Sequence, residues 1–120
     1  MSLDKRLRVA LTGIVPVIEP HQYRGTELEY ATFNYSQLPD LIADSAPRVA
    51  RYIVQVHWYL PLQPQGDVDT VNPNATKALI AAALARACGT WPSIEDATDN
   101  DGQHYVFELE AMEGGGYGPV

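Results

Sequence analysis

The stretch VARYIVQVHWYL, residues 49–60, decides how the rest of the chain is read. Its even positions Tyr52, Val54, Val56, Trp58 and Leu60 form one uninterrupted apolar row, and Arg51, Ile53, Gln55, His57 and Tyr59 alternate with them. Successive side chains of a strand point to opposite sides, so a period of two held this long specifies a strand. One side belongs in a core. The other mixes apolar and polar groups and is suited to neither a core nor open water alone.

On the N-terminal side, YATFNY at 30–35 is aromatic and β-branched, which predicts a second strand. Residues 16–29 read as irregular, punctuated by Pro16, Pro20 and Gly25. Before them Leu3, Leu7, Leu11 and Ile14 recur at helical spacing, which predicts an amphipathic helix over 4–15 stopped by Gly13 and Pro16. The connections 36–47 and 62–71 are long and rich in Pro and Asp.

On the C-terminal side, Asn72-Pro73 is a helix start, with Asn as the cap and Pro at the first position. The run ATKALIAAALARAC follows, with Thr76, Ile80, Ala83, Leu84 and Ala87 expected toward the core and Gly89 expected just past the helix end. Ser93–Thr98 reads as a weaker strand and Gln103–Met112 as a strong one. Tyr105, Phe107 and Leu109 lie on one side of the latter, His104, Val106, Glu108 and Glu110 on the other. The Asp99-Asn100-Asp101-Gly102 turn between them predicts a hairpin.

The order helix, strand, strand, helix, strand, strand predicts an α+β fold: one mainly antiparallel four-stranded sheet with two helices on one face. Residues 1–113 form the domain, and the Gly-rich stretch 114–120 is expected to be a flexible tail. Two helices cover one face of such a sheet. The other is left to loops or to another subunit, which makes Arg51, Ile53, Gln55, His57, Tyr59 and Val106 the candidate subunit interface.

Composition narrows the function. Across 120 residues, 46% are hydrophobic and the formal net charge is −7, so the chain is expected to fold as one domain and to lack the basic track that phosphate backbones require. No specific nucleic-acid binding is expected. No apolar run is long enough for a membrane span, and Met1–Arg6 lacks the charge order of a secretory leader.

Catalytic patterns are thin. Neither a Gly-x-Ser-x-Gly elbow nor a phosphate-binding Gly-x4-Gly-Lys-Ser/Thr loop occurs. The single Cys88, near the end of an Ala-rich helix, reads as a structural thiol. His57, His104 and Glu108 share one side of their strands and would suit zinc, but their spacing matches no metal signature, and polar groups at a subunit contact are the simpler reading. The acidic run 95–102 puts Asp101 where a calcium loop needs Gly, so it reads as a turn. Seven aromatic residues are Tyr, a side chain favoured at protein contacts; Tyr52 and Tyr105 are expected in the core, and Tyr23, Tyr30, Tyr35 and Tyr59 are free for an interface. No catalytic, cofactor-binding or metal-binding residue is assigned, and no cofactor is expected.

The segments YSQLP (35–39), APRVARYIVQVHWY (46–59) and DNDGQHYVFE (99–108), with the Ala-rich helix between them, resemble small tail proteins of long-tailed bacteriophages and prophages. The layout over residues 5–112 is similar to the tail-completion or tail-terminator family, the lambda tail terminator among them. The resemblance implies a non-enzymatic ring, usually hexameric, that caps the tail tube at the head–tail junction and contacts tail-tube and head-connector proteins. It implies a place in the virion tail, reached by assembly in the host cytoplasm. Another head–tail joining protein of similar size is the nearest alternative. A small metal-binding domain or enzyme built on His57, His104 and Glu108 is the more distant one.

Overall fold

A computed structural model describes residues 2–38, 49–62 and 73–114. In chain order the elements are α1 (Leu3–Leu11), β1 (Ile18–Pro20), β2 (Tyr30–Gln37), β3 (Val49–Leu60), α2 (Pro73–Cys88), β4 (Ser93–Asp96) and β5 (Gln103–Gly114). They build an α+β fold around a five-stranded mixed sheet of order β1-β2-β3-β5-β4. The expected mainly antiparallel sheet of four strands is corrected to five by β1, which pairs parallel to β2 at Ile18↔Ala31, Glu19↔Thr32 and Pro20↔Phe33. The remaining pairings, β2 with β3, β3 with β5 and β4 with β5, are antiparallel.

β1 lies within the segment expected to be irregular. Three residues ending in Pro carry little strand signal of their own, and the partner β2 supplies the pairing. The Ala31 N–H donates to the Val17 carbonyl (2.8 Å) and the His21 N–H to the Phe33 carbonyl (2.8 Å). His21 then takes φ 64°, a left-handed conformation that turns the chain out of the sheet directly after Pro20.

β3 spans the predicted residues and is the central strand. β2 and β5 run past their expected ends to Gln37 and Gly114, because β3 offers partners that far: Gln37 pairs with Tyr52 and Gly114 with Val49. β4 stops at Asp96, short of the expected Thr98, where the Asp96 side chain accepts from the Thr98 N–H (3.0 Å) and begins the turn.

α1 ends at Leu11 rather than at residue 15. Thr12 adopts extended backbone angles, its hydroxyl donates to the Arg8 carbonyl (2.6 Å), and Gly13 follows at φ +88°. Its start is capped by the Ser2 hydroxyl, which accepts from the Lys5 N–H (3.2 Å); Asp4 in the first turn and Arg8 in the last complement the helix dipole. In α2 the buried residues are Ile80, Ala81, Ala83 and Leu84, so Ala81 joins the core and the expected Thr76 and Ala87 are only half-buried. Gly89 at φ +85° ends α2 as expected. The expected cap Asn72, both long connections from Pro39 to Arg48 and Gln63 to Val71, and the tail from Gly115 onward lie outside the described residues.

The core sits between the two helices and one face of the sheet. Leu3, Leu7 and Leu11 of α1 and Ile80 and Leu84 of α2 join Ala31 and Phe33 of β2, Val54, Val56 and Trp58 of β3, and Tyr105, Phe107 and Leu109 of β5. Register keeps these side chains together: Phe33, Val56 and Phe107 lie abreast, as do Ala31, Trp58 and Tyr105. Full burial of each large aliphatic or aromatic group contributes about 1.5–3 kcal/mol. Small residues permit the closeness, since alanines on α2 let it approach β5. Tyr35 belongs to this side as well, donating to Asp4 and packing edge-on against Tyr52 with ring centroids 5.3 Å apart, so it is not available to the other face.

Candidate functional site

The face of the sheet that α1 and α2 do not cover carries the odd positions of β3 and the even positions of β2 and β5. Antiparallel register brings Thr32, His57 and Val106 abreast at its centre, with Tyr30, Tyr59 and His104 in the row to one side and Asn34, Gln55 and Glu108 in the row to the other. Ile53 pairs with Glu110 and Arg51 with Met112 beyond them. All six candidate interface residues, Arg51, Ile53, Gln55, His57, Tyr59 and Val106, therefore share one surface. Among the described residues no helix lies over it.

Its polar groups form two connected sets. At one end the Arg51 guanidinium meets the Glu110 carboxylate at 2.7 Å. Nearer the centre, Gln55 Nε2 donates to Glu108 Oε2 (3.0 Å), Gln55 Oε1 lies 3.2 Å from His57 Nε2, and His57 Nδ1 lies 2.8 Å from His104 Nε2. The pairing of β3 with β5 that makes the imidazoles neighbours is a long-range contact, which their local sequence does not announce.

At the other end the rings stack. Tyr59 lies 4.2 Å from His104 and 4.7 Å from Tyr30, which in turn lies 4.8 Å from Tyr23. Thr32 is buried although it belongs to this face. Burial pushes the Tyr59 phenol above its ordinary value, and the adjacent Tyr30 adds to the rise. The same burial holds the His57 imidazole below its ordinary value, reinforced by the neighbouring His104. His104 is also lowered by burial, against the opposing pull of the Asp99 and Glu95 carboxylates.

A cleft of about 460 Å³ opens beside this stack, bordered by Glu27, Tyr30, Tyr59, Asp99, Asp101 and His104. Its two aspartates belong to the turn: the Asp101 N–H donates to Asp99 Oδ1 (2.8 Å) and the Asp99 N–H to the Gly102 carbonyl (3.1 Å). They are hairpin groups, in line with the turn expected from the sequence.

The imidazole pair is not arranged as a metal chelate. Tetrahedral zinc with bonds of 2.0–2.1 Å needs its nitrogens about 3.3 Å apart, whereas these two face each other at hydrogen-bond distance. Gln55 stands between His57 and Glu108. Among the described residues no group of three or more His, Cys, Asp or Glu side chains is placed to hold a metal ion. Cys88 is half-buried beside the core, and burial pushes its thiol up despite the nearby Arg6 charge.

What the arrangement offers is contact chemistry: flat rings, two half-buried aliphatic side chains and hydrogen-bonding groups on one twisted surface. A second exposed apolar pair lies elsewhere, with Trp91 70% and Ile94 45% accessible at the β4 edge. No family model matches the chain, and no curated protein matches it. No helix among the described residues is long and apolar enough to cross a membrane.

Proposed function

We propose that this chain is a structural subunit of a phage or prophage tail that assembles as a ring, usually hexameric in the family it resembles, and caps the tail tube at the head–tail junction. The observation that carries the reading is a sheet with both helices on one side and tyrosine, histidine, Ile53, Val106 and Met112 on the other. Such a surface is best satisfied by identical neighbours.

A head-to-tail ring needs two different patches on each subunit. The helix-free face is one. The β4 edge with Trp91 and Ile94 is the other, since a short strand with all four side chains exposed presents its outer backbone groups for pairing. The function is then geometric, without turnover, cofactor or specific nucleic-acid binding, and its partners are further copies of the chain, tail-tube subunits and the head connector. Assembly takes place in the host cytoplasm and ends in the virion tail. An acidic chain of net charge −7 suits a lumen through which DNA slides.

Electron microscopy of the purified protein mixed with polymerising tail-tube subunits tests the reading. Short tubes ending in a ring are expected. Tubes that lengthen unhindered contradict the capping role, and rings that bind the connector alone assign the protein to head–tail joining instead.

A further inference from the structure

We propose that His57 and His104 form a pH-sensitive latch on the helix-free face, which takes up one proton with its contacts intact and a second only by breaking them. Glu108 sets the positions of the protons. A carboxylate only accepts, so Gln55 must present its amide nitrogen to Glu108 (3.0 Å) and its carbonyl oxygen to His57 Nε2 (3.2 Å). His57 Nε2 therefore carries the hydrogen. In the neutral ring Nδ1 is then an acceptor, and the 2.8 Å contact requires His104 Nε2 to donate.

This fixes where protons go. The first enters at His104 Nδ1, the ring drawn toward charge by Asp99 in the turn and Glu95 on β4. The Nε2–H···Nδ1 bond to His57 survives and becomes charge-assisted. A second proton has only His57 Nδ1 to occupy. Two N–H groups and two positive charges would then face each other across 2.8 Å, so the rings must part. Because His104 stacks on Tyr59 at 4.2 Å and Tyr59 on Tyr30 at 4.7 Å, that separation disturbs the aromatic row at one end of the face.

The groups around the pair favour this order. Glu108 on β5 is reached through Gln55, Glu95 and Asp99 flank His104, the Tyr59 and Tyr30 rings stack beside it, and Glu19 on β1 stands beyond Thr32. Burial lowers both imidazoles from their ordinary value of 6.5. The unfolded chain therefore binds protons more readily than the folded one. The stabilisation is complete above that ordinary value and is lost as pH falls through the depressed folded-state values. Where the face is buried between subunits, which rests on the proposed ring, acidification also weakens association.

Nitrogen-15 NMR of the imidazoles in the full chain, titrated through the weakly acidic range, tests the latch. Two separated steps are expected, the first on His104 and the second on His57, with the stacking contacts of His104 on Tyr59 lost only in the second. In His104→Asn the His57 ring should titrate once, closer to its ordinary value. Two rings titrating independently in one step, or a neutral His57 carrying its hydrogen on Nδ1, would overturn the proposal. Light scattering on the same samples separates the claims: two-step titration by a chain that never associates upholds the latch and removes the ring, while oligomers unmoved by the second step overturn the latch's coupling to assembly.

Discussion

Arg51 of β3 and Glu110 of β5 meet at 2.7 Å on the helix-free face, with side chains 54% and 44% exposed in the isolated chain. An ion pair in that setting contributes at most about 1 kcal/mol to folding. Arg51→Ala should therefore leave urea denaturation of the monomer almost unchanged. In the proposed ring the same pair would be desolvated at a subunit contact, where loss of one partner strands the other. Arg51→Ala should then shift the dissociation midpoint of the oligomer, read by sedimentation, far more than it shifts unfolding.

Trp58 anchors the other side of the sheet. It is fully buried, and its indole N–H donates to Glu29 Oε2 at 3.1 Å. Trp58→Ala should cost about 3–5 kcal/mol of stability by chemical denaturation, as expected for emptying a large core site. Trp58→Phe keeps much of the volume and removes the donor, so its loss should be clearly smaller.

Gly89 closes α2 at φ +85°, with nothing within 4 Å of where a side chain would begin. Gly89→Ala is therefore a backbone test free of steric clash. It should destabilise by about 1 kcal/mol, and Gly89→Asn by less, measured as shifts of the denaturation midpoint at constant slope.

Cys88 packs against the core, and burial raises its thiol pKa. A thiol-specific reagent at neutral pH should label it slowly in the native protein and at once after unfolding. Fast native labelling would show that the α2 end opens readily.

Trp91 is 70% exposed and Ile94 follows on the β4 edge. Trp91→Ala should leave the melting temperature within error and reduce ring formation, because the side chain adds little to the monomer core and belongs to the proposed second patch. Unchanged assembly would move that patch elsewhere.

Much of this organisation was legible in residues 49–60. A period of two over that length fixed the strand, its buried side and its uncovered side, and the same alternation in residues 103–112 placed Tyr105 and Phe107 inward. The helix ends were less legible. Leu3, Leu7 and Leu11 set the stripe of α1, but Thr12 and Gly13 end it before Ile14 can join the helix. β1 was invisible because its three residues become a strand only through backbone bonds to β2.

The candidate face was legible as a list of residues and not as a network. Alternation assigns His57 and His104 to the same face, but only the register of β3 with β5, which pairs Tyr59 with His104, makes the imidazoles neighbours. Tyr35 shows the converse. Its composition suited an interface, and parity within β2 turned it toward Asp4 and the core.

Sedimentation velocity of wild-type protein beside the double variant Ile53→Asp, Val106→Asp asks whether the helix-free face is where copies of the chain meet. Both side chains are half-buried on the helix-free face and outside the buried core, with Glu110 opposite Ile53 and Glu95 opposite Val106, so the variant should still fold cooperatively but melt below the wild type. Wild-type protein should form a closed oligomer as concentration rises from micromolar to millimolar, and the variant should stay monomeric throughout. A wild-type chain that remains monomeric over that range and in the presence of tail-tube subunits, or a variant that assembles equally well, would contradict that role of the face.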